Sequence, residues 1–484
     1  MDAIIIGSGP NGLTAAVALA RAGVSVKVLE ARETIGGGTR TEEVTLPGFH
    51  HDICSAVHPM GALSPYWRTL GLERFGLEWV EPELSFAHPF DGGRALALAR
   101  SLDETTELFE AAGCAEDATA WRAMVGPYLA GNSDALIADI LGPLGIPRRP
   151  FTMARFGMQG AIPAKLFAGM RFKSAEARGL FAGLAAHAVL PMSSLFTTAV
   201  GLMFAITAHR VSWPVAKGGS HAITGALAAY LRELGGTIET GRHVRSLSDL
   251  PESSVVLFDT SPAPMADICG DALPASYARR LRAVELGPAT YKIDFALSEP
   301  IPWAADACRR TATVHLGGTL PEIAVSERLA WQGKAPRAPY VICCQQSLVD
   351  SGRAPEGKAT GYAYCHVPHG FDGDASAAIE AQIERFAPGF ADTVLARRIW
   401  APADLEAHNE NYTGGSITGG VSNWKQLVTR PVVRANPYTT PNPRLFICSA
   451  SAPPGPGVHG MCGYYAARAA LRQLGVRSNQ KLLV

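Results

Sequence analysis

The hydrophobic pattern is densest at the start of the chain. Residues 3–6 form an unbroken apolar run rich in isoleucine and bounded by Gly7, which predicts a parallel strand buried on both faces. Residues 13–22 are alanine-rich and free of breakers, and predict a helix. After Gly23, residues 24–29 predict a second strand that ends on Glu30. Between the first strand and the helix lie Gly7, Ser8, Gly9, Pro10, Asn11 and Gly12. The first glycine allows a tight turn, the second a close backbone approach to a pyrophosphate, and the third close packing of helix on strand. The helix N-terminus offers free N–H groups to phosphate, and Glu30 stands where a carboxylate holds ribose hydroxyls. Strand, glycines, helix, strand and acid in register predict a nucleotide-binding unit.

Downstream the pattern breaks into shorter pieces. Residues 77–80 and 95–98 predict strands, and amphipathic helices run on from residue 101, with Ser101 and Glu104 as a capping box. Residues 180–208 hold two apolar stretches split at Pro191. Neither is long enough to span a bilayer, so they predict buried helices lining a lipophilic pocket, with a surface patch in peripheral contact with a membrane as the competing reading. Residues 221–234 predict a helix, and 237–244 and 255–260 predict strands that return to the first sheet. Residues 286–297, 340–344 and 359–366 predict strands of a second sheet, with Tyr362, Tyr364 and His366 on one alternating face. About six to eight such segments between residues 276 and 431 make that sheet antiparallel. A strand at 445–448, a glycine-proline loop and a helix at 461–474 close the chain.

Composition narrows the class. A chain of 484 residues accommodates two or three domains. Lys+Arg and Asp+Glu are both 43, so the formal net charge is zero, which argues against a nucleic-acid partner. Nine cysteines with no CxxC pair predict free thiols in a reducing cytosol. The chain begins directly with a strand, which predicts no cleavable signal peptide and a cytoplasmic location. His50, His51 and His58 lack metal-ligand spacing, so no metal is expected, and Lys217 reads as a surface lysine.

The residues after Glu30 select the nucleotide. Ala31, Arg32, Gly36, Gly37, Gly38, Thr39, Arg40 and Thr41 place a basic residue and a second glycine cluster after the ribose acid. An extended flavin dinucleotide uses such a second close approach. The predicted fold class is therefore α/β: a discontinuous Rossmann-type FAD-binding domain (residues 1–75, 211–275 and 432–484) with a mixed antiparallel-sheet and helical substrate domain (76–210 and 276–431, helical over about 101–210).

The opening motif, GFHHDICSAVHPM (48–60), KIDFALSEPIPW (292–303), APEGKATGYAYCHVP (354–368), NENYTGG (409–415) and SASAPPGPGVHGMCGYYAARAAL (449–471) together resemble the phytoene desaturase-like FAD-dependent oxidoreductases. The resemblance is to the branch named after pyridine nucleotide-disulphide oxidoreductase domain protein two. It implies FAD contacts at Gly7, Gly9, Pro10, Asn11, Gly12, Glu30, Ala31, Arg32, Gly37, Gly38, Thr39, Arg40, Thr41, His58, Val244, Ser449, Gly460 and Met461. It also implies that the loop with His58 passes beside the flavin ring. Two positions depart from the pattern: Ser416 stands where the glycine-amide loop usually has an acid, and Pro456 stiffens the late loop.

These features predict FAD-dependent dehydrogenation of a lipophilic, isoprenoid or polyene-like molecule, with hydride passing to flavin N5 and oxygen or a quinone as electron acceptor. His459 is the first candidate for base or hydrogen-bonding partner, with a histidine held structurally by backbone as the equal alternative; Tyr412 and Asn409 come after it. The N-terminus of the last helix is expected to face the pyrimidine edge and stabilise reduced flavin. Amine oxidation, redox-neutral polyene isomerisation and a non-catalytic FAD-binding interaction protein are the rival readings.

Overall fold

The computed structural model describes residues 2–131 and 133–476. The strand β1 (Ala3–Ile6), helix α1 (Pro10–Ala20) and strand β2 (Val26–Leu29) open the fold, followed by the hairpin β3 (Phe86–Phe90) and β4 (Arg94–Leu98). A helical run comes next: α2 (Leu102–Ala111), α3 (Ala115–Leu129), α4 (Ser133–Ile140), α5 (Pro150–Gly160), α6 (Ala164–Arg171), α7 (Ala175–Ala186) and α8 (Thr197–Val211). Helix α9 (His221–Glu233) leads to β5 (Thr237–Glu239) and β6 (Val255–Phe258). The strands β7 (Ala289–Leu297), β8 (Thr313–Leu316), β9 (Val341–Cys344), β10 (Ala359–Val367) and β11 (Val394–Trp400) are next in order, and β12 (Leu445–Ile447) and α10 (Met461–Gln473) complete the chain.

One sheet has five parallel strands in the order β12-β6-β1-β2-β5. All four residues of β1 are buried, as expected of a parallel strand covered on both faces. Helix α1 packs against both α9 and α10. The contact with α10 is so close that a Cβ on Gly463 would overlap the carbonyl oxygen of Asn11, so glycine at that position sets the distance between the two helices.

The second sheet has seven strands in the order β11-β7-β10-β9-β8-β3-β4. Its pairs are antiparallel except β8 with β3, which are parallel. Strand β3 lies outside the predicted elements. Pro89 is within it, and a proline normally argues against a strand. The neighbouring β4 carries the predicted 95–98 strand, and the 237–244 segment pairs only as far as Glu239, leaving Val244 in a loop. Ser101 caps α2 by accepting from the Glu104 amide at 3.2 Å, the serine half of the expected box.

Residues 180–208 form the inner layer of the helical region. Leu180, Phe181, Leu184, Leu202, Ala205 and Ile206 are all fully buried, so the apolar stretches face the protein interior rather than a bilayer. Among the described residues no helix is long and apolar enough to cross a membrane.

Candidate cofactor and substrate site

A cavity of about 680 Å³ begins outside the carboxyl ends of β1, β2 and β6 and continues to the second sheet. In the five-stranded sheet, β1 lies between β2 and the late strand β6, and such a reversal of strand order is where α/β folds bind ligands.

The nucleotide end is built from the two glycine clusters. Gly7, Gly9, Pro10, Asn11, Glu30, Ala31, Arg32, Gly37, Gly38 and Arg40 all line the cavity, as does Val244 opposite them. A Cβ on Gly37 would come within 3.0 Å of Gly9 Cα, so the two clusters are packed directly on each other. The Asn11 Oδ1 atom is buried without a protein partner and is available to a ligand. Glu30 is 6 % exposed. One oxygen accepts from Ser8 N and Ser8 Oγ, and the other accepts from Arg32 N and Arg40 Nη2. A carboxylate offers about four acceptor positions, so a ribose hydroxyl at Glu30 competes with these donors.

Asp259, directly after β6, joins the site from outside every sequence motif. Its Oδ2 accepts from Gly12 N at 2.8 Å and would lie 2.6 Å from a Cβ on Gly9. The carboxyl therefore sits over the N-terminus of α1, where the sequence pattern places phosphate. Burial pushes its pKa well up, and the nearby Glu30 charge adds to the shift, so the group resists ionisation beside an anion.

In the middle of the cavity, residues 54–60, 409–412, 417–419, 449–451 and 456–458 converge. Ser449, Asn409 and Tyr412 line it as expected. The Tyr412 hydroxyl lies over the Cα of Gly38, where a side chain would collide with it, and burial raises its pKa. Asn411 locks the loop to the nucleotide sheet: its Oδ1 accepts from Ser261 N at 2.7 Å and its Nδ2 donates to the Asp259 carbonyl at 3.3 Å.

His58 faces the same space. Its Nε2 meets Ser220 Oγ at 2.8 Å, and that hydroxyl donates to the Ser55 carbonyl at 2.6 Å. Ser220 has one proton to give, so His58 carries its hydrogen on Nε2 and presents Nδ1 as an acceptor without a partner. Burial lowers its pKa to about 4; the ring is neutral near pH 7.

The far end is aromatic and free of carboxylates: His187, Phe204, Trp213, Ile342, Tyr362 and Tyr364. Tyr362 and Tyr364 meet edge to face at 5.8 Å, an arrangement that aromatic quadrupoles favour. Behind Tyr362, the Lys292 ammonium lies 4.4 Å from the ring centroid and pairs with Asp294, whose Oδ2 accepts from Trp400 Nε1 at 2.9 Å. The Tyr362 hydroxyl donates to the Cys54 carbonyl. His187 Nε2 meets His315 Nε2 at 3.0 Å, and burial drives both imidazoles to the neutral form.

Six expected residues do not line the cavity. Gly12 packs on the Gly7 carbonyl. Thr39 bonds Gly36 and Thr224, and Thr41 bonds Asp52. Gly460 abuts Thr14 and Trp67 at the α1–α10 contact, and Met461 is buried with its Sδ 3.8 Å from Ser64 Oγ. His459 is fully buried. Its Nδ1 accepts from Met461 N at 3.0 Å and its carbonyl accepts from Ser64 Oγ at 2.7 Å. These bonds fill the structural role open to it from the sequence, while its Nε2 is buried without a protein partner. The loop at Pro456, Gly457 and Val458, rather than the first turn of α10, reaches the cavity.

Three histidines that cluster in the sequence diverge in space: His50 faces Glu43, His51 bonds Thr45, and His58 bonds Ser220. Among the described residues no group of three or more His, Cys, Asp and Glu is placed to hold a metal. Lys217 is exposed and pairs with Glu78 at 2.9 Å.

Residues 5–70 match the model of an NAD(P)-binding Rossmann-like domain. The chain is 28% identical to pyridine nucleotide-disulfide oxidoreductase domain-containing protein 2 of Mus musculus, over 98% of this chain and 94% of that protein. A shorter segment is 35% identical to a limonene dehydrogenase subunit of Castellaniella defragrans, over 22% of this chain and 19% of that one. A redesigned putrescine oxidase shares the fold with a TM-score of 0.62 at 18% identity, over 97% of this chain and 98% of the other. The glycine-lined cavity, the amine oxidase-like fold and the full-length likeness together make this chain an oxidoreductase of the Rossmann-type, flavoprotein-like class.

Proposed function

We propose that the chain is an FAD-dependent dehydrogenase that introduces a double bond into a lipophilic small molecule. The observation that carries this reading is the polarity of the cavity. Glycine backbone, Glu30 and Arg40 line one end, and aromatic rings with the neutral His187 line the other. Gly7, Gly9, Asn11, Glu30, Arg32 and Arg40 would hold the dinucleotide, with Val244 toward its adenine and residues 54–60 and Tyr412 beside its ring system. FAD, when bound, supplies the hydride acceptor.

The chain's own residues position substrate and exclude water. Trp213, Phe204, Tyr362 and Tyr364 take an apolar body, and His187 gives one neutral polar contact. His58 Nδ1 is a hydrogen-bond acceptor on the wall; a pKa near 4 makes it a weak base, suited to orienting a water or substrate hydrogen.

Amine oxidation is the second reading, and the perpendicular Tyr362–Tyr364 pair favours it, since paired aromatic faces can attract a cation. Lys292 already lies over the Tyr362 ring, and the far end offers no carboxylate. Both facts work against a second cation, so desaturation is preferred. Incubation with isoprenoid hydrocarbons and with diamines, each analysed by mass spectrometry, separates the two. A hydrocarbon product lighter by one pair of hydrogens supports desaturation; an aldehyde from the diamine alone overturns it. An isomer of unchanged mass would assign the site to redox-neutral isomerisation.

A further inference from the structure

Residues 141–174 contain Arg148, Arg149, Arg155, Lys165, Arg171 and Lys173 and no aspartate or glutamate, in a chain of zero formal net charge. The same stretch carries the most exposed large apolar side chains among the described residues: Ile146 at 99%, Phe151 at 90%, Leu144 at 79% and Met158 at 70%. Phe151 and Met158 lie two turns apart on one face of α5, with Arg155 between them, and Leu166 and Met170 lie one turn apart on α6. A surface helix ordinarily turns its apolar stripe to the core. Here α5 buries Phe156 and Gly160 inward and still presents apolar side chains outward.

A second groove, of about 380 Å³, continues this face. Leu144 and Leu427 form part of its wall, with Arg434, Arg468 and Arg472, and no carboxylate lines it. Arg430 also reaches the groove, but its guanidinium is committed to the carbonyls of Thr418 and Gly420. Asp117 on α3, buried and accepting from the Lys173 and Ser174 amides, and Asp134 and Asp139 on α4 are the nearby acids. Asp134 pairs with Arg68 and Arg210, and Asp139 pairs with Arg148, which leaves most of the positive charge uncompensated.

We propose that this face docks on an anionic phospholipid bilayer, with Ile146, Phe151 and Met158 entering the acyl boundary and the arginine groove receiving a phosphate headgroup. Nucleic acid offers phosphates but gains nothing from exposed isoleucine and phenylalanine, whereas an anionic lipid surface presents phosphate and hydrocarbon side by side. The surface is separate from the apolar stretches at 180–208, which are buried. It lies one helix layer from the substrate end, because α5 and α6 pack against α8 and Phe204 of α8 lines the site cavity. The docking does not depend on the identity of the cofactor.

The test is flotation of the full-length protein with phosphatidylcholine vesicles and with phosphatidylcholine vesicles containing phosphatidylglycerol. Binding is expected to the anionic vesicles and to weaken with salt. Each arginine or lysine near the surface contributes about fivefold, so Arg434→Gln with Arg472→Gln should weaken binding roughly twenty-five-fold. Ile146→Ser with Phe151→Ser should weaken binding strongly, with the residual binding still falling as salt is raised. Lys165→Gln with Lys173→Gln serves as an independent pair if either variant folds poorly, as judged by circular dichroism. Equal binding to both vesicles, binding to neither, or affinity unmoved by a folded variant overturns the proposal.

Discussion

Ser8 gives both its backbone N–H and its hydroxyl to the same oxygen of Glu30, at 2.9 and 2.6 Å. The bonds tie the glycine loop to the end of β2. Ser8 Oγ is a rotor and can turn away to leave a lone pair for ribose; the backbone donors cannot. Ser8→Ala leaves that lone pair free for the ribose and should therefore change FAD affinity little. Glu30→Gln removes charged acceptors worth about 1.5–3 kcal/mol each and takes the carboxylate from Arg40, which keeps its bonds to Thr34. Its FAD affinity should fall roughly tenfold to a hundredfold. Fluorescence titration of apoprotein with FAD checks both. Equal losses in the two variants would remove Glu30 from its assigned role.

Asp259 should make cofactor binding depend on pH. Burial, with the Glu30 charge beside it, raises its folded-state pKa well above the usual carboxylate range. A pyrophosphate over the same helix end favours the protonated carboxyl further. Binding then takes up protons, so FAD affinity falls as pH rises through the Asp259 pKa of the free protein. Asp259→Asn keeps the acceptor for Gly12 N and removes the charge; its affinity should be flatter with pH and higher at the alkaline end. A steep profile retained in Asp259→Asn would assign the effect elsewhere.

His58 and His459 should separate in their effects. His459→Ala loses the bond from Met461 N at the start of α10, at a cost of about 1–3 kcal/mol, and should lower the melting temperature while leaving flavin reduction by substrate unchanged. His58→Phe keeps an aromatic of similar shape and removes the Nδ1 acceptor; it should slow reduction with little change in FAD content. Loss of reduction in a stable His459→Ala protein would reverse the assignment.

Gly463→Ala places a methyl against the Asn11 carbonyl at the α1–α10 contact. Overpacking of this kind costs about 1–3 kcal/mol, and because Asn11 lines the cavity the shift should reach the cofactor. Denaturant titration of apoprotein and the FAD dissociation constant should both worsen. A variant as stable as the parent would mean that the helices have room to part.

The β1–α1–β2 unit is legible in the sequence because its signals are local: an apolar run, spaced glycines and an acid at the end of the next strand. Asp259 is not, since it reaches Gly12 from 247 positions away and no nearby pattern marks it. His459 attracts attention by its place in the loop before α10, but the direction of its ring comes from the bond with Met461, which spacing does not encode. His58 looks like one of three clustered histidines, and only packing shows that it alone faces the cavity. Strand alternation places Tyr362 and Tyr364 on one face, and the register of β10 turns that face to the cavity. Strand β3 is hidden by Pro89, tolerated where β3 meets β8 at a single registered pair, Val314 with Ala87.

One cavity should hold FAD at its glycine end and a lipophilic reductant at its aromatic end. Anaerobic titration of the FAD-loaded protein, monitored through the visible flavin bands, tests it most directly. Addition of isoprenoid hydrocarbons should bleach the bands, with diamines leaving them unchanged and Trp213→Ala or Tyr364→Ala weakening the response. A protein that takes up no FAD, or one bleached by diamines and indifferent to every lipophilic compound, would contradict the account.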